Sequence, residues 1–308
     1  MGCANLGVKN TEDEALGLLD AYSAQGGNFI DTARVYSNWV PGEMNRSERI
    51  IGDWMADRKN RDDVILATKG GHPVLGTTGS RLSPERISDD LLGSLETLRV
   101  EHVDLYWLHR DDPACPVGSI LEALHAHQEA GRISHYGCSN WRPERILAAH
   151  VYATEHGLTG FVANQMRWSL AGMNTPGPKD TTMCAMDVAT HNLHRDLGLA
   201  AVPYGSQAGG FFTKWDSNPD SVTNSQFATE ANLTLEPFLQ ATASDLGTTV
   251  SAVVVAWLLA QPYVTIPIVG CRTVDQLEDS LSANLLNLPE DVIDRLNKAA
   301  GLTATNEP

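Results

Sequence analysis

With 308 residues and 42% hydrophobic content, the chain is long enough to bury one large core, and a single domain over residues 1–308 is the expected organisation. A formal net charge of −16, with no run of Lys or Arg, argues against nucleic acid or any other polyanionic partner. The longest apolar run, Ala252 to Ala260, falls well short of the ~20 residues that span a bilayer, so it reads as a buried helix and no membrane partner is expected.

Five cysteines, at 3, 115, 138, 184 and 271, have no paired spacing, and no positively charged segment precedes a hydrophobic one. A reducing cytoplasm is the natural setting.

In chain order, short β-branched runs alternate with helical segments. Strands are expected at Phe29–Asp31, Val64–Lys69, Val103–His109, Ile133–Cys138, Phe161–Gln165, Ala200–Tyr204 and Val264–Ile268, with a fragment at Gly2–Asn5 making eight. Helix starts are marked by capping boxes at Thr11 with Glu14 and Thr273 with Gln276, and by Ser83 followed by Pro84. Eight βα units in about 300 residues suggest an α/β fold of the (β/α)8 barrel type. An open doubly wound sheet is the main competitor, and its glycine-rich dinucleotide fingerprint is missing after the first strand. Longer loops are expected at 70–82, 166–179 and 205–227, all leaving the same end of a barrel. Asp187, His191 and His194, at helical spacing, read as a solvated helix face, and no metal is expected.

Three successive strands finish on ionisable groups: Asp31, Lys69 and His109, with Tyr36 shortly after the first. Strand alternation puts each of these on the same face as the residue two before it, so the groups can converge. A phenol is a poor proton donor at neutral pH, but an ammonium beside it stabilises the phenolate and lowers its pKa. Lys69 can act on Tyr36 in this way, Asp31 can hold Lys69 charged, and His109 can orient a carbonyl.

The segments NFIDTARVY, ILATKGG, VDLYWLH, YGCSNW, NQMRW, PYGSQAGG and IPIVGCRTVDQLEDS, in this order, make the chain resemble the aldo-keto reductases over nearly its whole length. The resemblance implies a barrel enzyme that reduces an aldehyde or ketone reversibly, taking hydride from NADPH or, alternatively, NADH. It implies Tyr36 as general acid, Lys69 and Asp31 as its tuning pair, and His109 as the residue that orients substrate. Cofactor contacts carried over by position are Gly2, Cys3, Ser139, Asn140, Gln165, Tyr204, Gly205, Ser206, Gln207, Gly209, Gly270, Arg272, Gln276, Asp279 and Ser280. Of these, Ser139, Asn140 and Gln165 match the grip on the carboxamide, Tyr204 matches the ring that stacks on nicotinamide, and Arg272 matches the contact to a 2′-phosphate. Trp39 and Trp141 are candidate walls of the substrate pocket. Because Met1 and Gly2 fall inside the family's first strand, a shortened first strand and N-terminal plug are expected. The alternative from another class is a nucleotide-binding redox sensor or regulatory subunit with little turnover. The expected partner is a small carbonyl or alcohol, and oligomeric state is left open.

Overall fold

The computed structural model describes residues 1–173, 180, 182–215 and 217–302. Residues 174–179 of the expected 166–179 loop, and 303–308 of the expected polar tail, lie outside them. The chain forms two compact units, residues 1–164 with 270–277, and residues 165–269 with 278–308.

The first unit opens with α1 (Glu12–Ala24), where Thr11 and Glu14 form the expected reciprocal capping box. It continues through β1 (Phe29–Asp31), α2 (Arg46–Arg58), β2 (Ile65–Gly70), α3 (Pro84–Leu98), β3 (Val103–Leu108), α4 (Val117–Glu129), β4 (Ile133–Ser139), α5 (Pro143–His156) and most of β5 (Ala163–Gln165). Ser83 caps α3 through the Arg86 amide, with Pro84 in the first turn. Strands β1 to β4 pair in parallel, with Asp31 opposite Ala67 and Lys69 opposite Trp107. Alternation along β2 sends Ala67 and Lys69 to one face and Leu66 and Thr68 to the other, which α2 and α3 cover.

The second unit holds the end of β5, then α6 (Val188–Leu197), β6 (Ala200–Ala201), α7 (Pro219–Thr223), α8 (Glu230–Asp245), α9 (Val250–Leu259), and α10 (Val274–Ser282), whose first turn belongs to the first unit, and α11 (Glu290–Ala299). The apolar run expected to be a buried helix is α9, which packs around Trp257 with Trp168 and Leu239.

Strand order follows chain order from β1 to β6, and six strands are formed among the described residues. The two remaining expected strands are reduced to single parallel bridges, Gly2 with Asp31 and Thr265 with Ala201. The chemistry of the second reduction is plain: residues 264–268 run beside β6, bonding it through Ala201 N to Val264 O and Ile266 N to Ala201 O. Pro203 carries no N–H to give the next rung, although Ile268 N still donates to Pro203 O. The same proline shortens the expected Ala200–Tyr204 strand to two residues.

Of the helix face expected to be solvated, Asp187 is exposed and His191 half-buried, and only His194 is enclosed. Asp187 caps α6 by accepting from the Thr190 amide, His194 is fully enclosed with Nδ1 2.8 Å from Leu199 O, and its ring stacks on Tyr263. Burial holds the His194 imidazole down at about 4. No single helix among the described residues is long and apolar enough to cross a membrane.

Candidate active site

The first unit brings all four predicted residues together. Lys69, at the end of β2, donates from Nζ to Asp31 Oδ2 at 2.5 Å and to Thr32 O at 2.7 Å, and both side chains are almost wholly buried. Its ammonium lies 4.7 Å from the centre of the Tyr36 ring. The His109 ring meets Tyr36 edge-on at 5.7 Å. A left-handed backbone at Ser37 (φ 74°), in a non-glycine residue, turns the chain directly after Tyr36. The next residue after Lys69 must be glycine, because a side chain at Gly70 would collide with the Tyr106 hydroxyl.

Electrostatics refine the sequence expectation. Burial pushes the Tyr36 phenol above its ordinary value of 10, and Lys69 opposes that shift without cancelling it, so in the protein as it stands Tyr36 is a firmly protonated donor. Burial pulls Lys69 down, but Asp31 and the Tyr36 oxygen more than compensate, and its ammonium is held charged. Burial, and then the positive neighbours Arg110, Lys69 and His72, hold His109 well below 6.5 and therefore neutral. A neutral imidazole still carries one N–H, which suits orienting a carbonyl oxygen.

Ser139 and Asn140 stand at the end of β4, both buried. Asn140 has φ 62° and donates from Nδ2 to Ser139 Oγ and to His109 O, so the amide is tied to the backbone of His109. Gly2 bridges Asp31, and the Cys3 amide donates to Asp31 O, fixing that strand end; burial pushes the Cys3 thiol up to about 12. Arg272 is exposed on the segment before α10, with Gly270 beside it in open space. Gln276 is partly spent on structure: its Oε1 accepts from the Arg272 amide, while its own amide donates to Thr273 Oγ1. Trp39 is 46% exposed and touches Tyr36 edge-on at 6.3 Å, whereas Trp141 is enclosed, its indole N–H donating to Arg110 O and its ring packed on Phe161.

In the second unit, Gln165 is buried and Tyr204 is tied by its backbone to Met166 and Trp168. The loop that follows has positive φ at Gly205, Ala208, Gly209 and Gly210, a run of turns that presents backbone amides as pyrophosphate recognition needs. Lys214 adds a cation, donating to Gly209 O at 2.7 Å. Ser206 donates to Ile268 O, and Gln207 donates to both Ser251 and Ser280. Asp279 accepts from Thr249 Oγ1, the N-cap of α9. These donor types and this backbone fit a pyridine dinucleotide. Among the described residues no cluster of three or more His, Cys, Asp or Glu side chains could hold a metal.

Sequence reasoning missed His72, Arg110 and Lys214. His72 meets His109 edge-on at 4.9 Å, and Arg110 donates to His109 O. Their signal was position alone, three residues after Lys69 and one after His109.

A sequence model of the Aldo/keto reductase family matches residues 1–300. The chain is 31% identical over 307 residues to the uncharacterized oxidoreductase YrpG of Bacillus subtilis, covering 96% of this chain and 90% of the relative. It is 30% identical over 297 residues to the norsolorinic acid reductase stcV of Emericella nidulans (92% of this chain, 71% of the relative). It is also 30% identical over 303 residues to the aldo-keto reductase ausK of the same organism (92% and 72%).

Proposed function

The chain belongs to the aldo/keto reductase family, and we propose that it is an NADPH-dependent oxidoreductase that reduces an aldehyde or ketone to its alcohol, reversibly. The observation that carries this reading is the buried Lys69–Asp31 pair set against Tyr36, with a neutral His109 at the ring edge. The same reading includes closure of the sheet as a (β/α)8 barrel, supported by the parallel bridges that add a segment beside β1 and another beside β6.

When bound, the nicotinamide supplies the hydride that reaches the carbonyl carbon. Tyr36 gives its hydroxyl proton to the carbonyl oxygen, and the phenolate left behind is stabilised by the Lys69 ammonium, which Asp31 holds in place. His109 donates to the same oxygen and fixes its direction. Ser139, Asn140 and Gln165 are proposed for the carboxamide, Tyr204 for the nicotinamide face, and Gly205, Ser206, Gln207 and Gly209 for the pyrophosphate, with Lys214 added. Gly2, Cys3, Gly270, Gln276, Asp279 and Ser280 complete the proposed contacts. The exposed guanidinium of Arg272 favours a cofactor with a 2′-phosphate, hence NADPH over NADH. The reductase names of relatives agree with a small-molecule carbonyl substrate. Five free thiols agree with a reducing, cytoplasmic setting.

The test is carbonyl-dependent loss of NADPH absorbance by the wild type and by Tyr36→Phe. Loss of the general acid is expected to lower kcat by ~10²–10⁴; turnover that survives the substitution intact would sink the mechanism.

A further inference from the structure

Beside Lys69 the first unit has a cleft of about 330 Å³, formed by the loops that follow β1 and β2 and by the start of α3. Its lip is apolar and unusually open: Met44 is 68% exposed, Val74 60% and Leu75 42%. Its floor is cationic, with Arg34, Lys69 and Arg81 against the single carboxylate Asp90. In a chain of net charge −16 such a place is a local exception, and it would draw anions.

Two of the three cations are already matched. Lys69 is held by Asp31, and Arg81 binds Asp90 at 2.5 and 3.2 Å while the Gly71 amide takes a further place on that carboxylate. Arg34 is different. Its one ion pair is a long 3.9 Å approach to Asp90, and its guanidinium makes no side-chain hydrogen bond among the described residues, although the side chain is 30% exposed. Gly93 on α3 leaves room for it, since a side chain there would collide with the guanidinium. A buried Nη1 without an acceptor on a partly enclosed arginine is an unmet demand for oxygen. His72 lines the same cleft and meets His109 edge-on at 4.9 Å, so the cleft lies one side chain from the proposed reacting centre.

We propose that this cleft is a carboxylate subsite, and that the substrate is an oxo acid: an aldehyde or ketone whose apolar body lies along Met44, Val74 and Leu75 and whose acid group is held by Arg34. The assignment rests on the reductase reading above and names the class of substrate for that site. It separates acids from neutral carbonyls of equal size, because only the acid satisfies the guanidinium.

The experiment compares kcat/KM with NADPH for para-formylbenzoate and benzaldehyde. The wild type should favour the acid by about tenfold or more, the worth of one charge-assisted hydrogen bond. Arg34→Gln should lower that ratio about tenfold through KM of the acid, and Arg34→Lys should keep part of the preference. Added salt should erode the wild-type ratio, a measurement that decides the matter even if Arg34→Gln does not fold. A wild-type ratio near one, or a ratio indifferent to Arg34→Gln in a folded variant, overturns the subsite alone. Turnover of benzaldehyde indifferent to Tyr36→Phe overturns the reductase reading instead, so the two failures are distinct.

Discussion

The two faces of β2 handle buried carboxylates in opposite ways. On the Lys69 face, Asp31 meets an ammonium at 2.5 Å, and the pair is a fixed charge arrangement beside Tyr36. On the Thr68 face, Glu48 of α2 is as completely buried but finds a hydroxyl, Thr68 Oγ1 donating to it at 2.6 Å. Burial pushes the Glu48 carboxyl up to about 7, and the Thr68 and Ser94 hydroxyls, then the more distant Arg34 guanidinium, only partly oppose it. Adjacent in sequence, Thr68 and Lys69 thus mark the difference between an acid paired with a cation and an acid tuned by enclosure. Burial alone raises a carboxyl; a hydrogen-bonded cation at contact distance holds it ionised.

The severest way to break the contrast is Lys69→Met. It leaves Asp31 buried without its cation, and should cost about 3–5 kcal/mol in denaturant unfolding together with nearly all turnover. If the variant unfolds at the wild-type midpoint, the pair is not what holds that face together.

Glu48→Gln probes the other face and should have a smaller, pH-dependent effect. A carboxyl raised from its ordinary 4.5 to about 7 contributes stability that is fully present below 4.5 and lost as pH rises through 7, worth roughly 3 kcal/mol in all. Glutamine keeps an acceptor for Thr68 and removes the charge, so above pH 7 it should match or exceed the wild type, whereas near pH 4 it should not. Melting curves of both proteins across this range that stay parallel would refute the Glu48 assignment.

The pH profile of reduction sharpens the catalytic side. With Tyr36 held above 10 and His109 well below 6.5, kcat/KM for the carbonyl should be level from pH 7 to 9 and decline only above 10 as the phenol ionises. A decline centred near 6.5 would mean that His109 titrates and is not the enclosed neutral group described above. The mildest expectation is for Trp39→Ala: an exposed ring removed, unfolding changed by no more than about 0.5 kcal/mol, and any kinetic effect confined to KM. A large drop in kcat would make Trp39 part of the reacting geometry.

Much of this was legible in the chain itself. Strands β1 to β5 were found to within two residues at their ends, because β-branched runs bounded by turn residues are a local signal, and Thr11 and Ser83 cap the expected helices. Val264–Ile268 was not, since its alternation looks like a strand while Pro203 on the facing segment withholds a rung of the ladder. His194 was misjudged because helical spacing tells which residues share a face and not what that face meets.

The sequence by itself determined the candidate set: Asp31, Lys69 and His109 each end an apolar run, and period-two alternation puts each on the face of the residue two before it. Only the tertiary structure decided what surrounds them. Glu48 comes from a helix, Arg34 and His72 from loops, and Arg81 and Asp90 from either side of a helix start. No local period relates these positions, so their meeting depends on how α2 and α3 pack over β2. Whether a charge is satisfied is a property of that packing, which is why the weakly paired guanidinium of Arg34 could not be read from the chain.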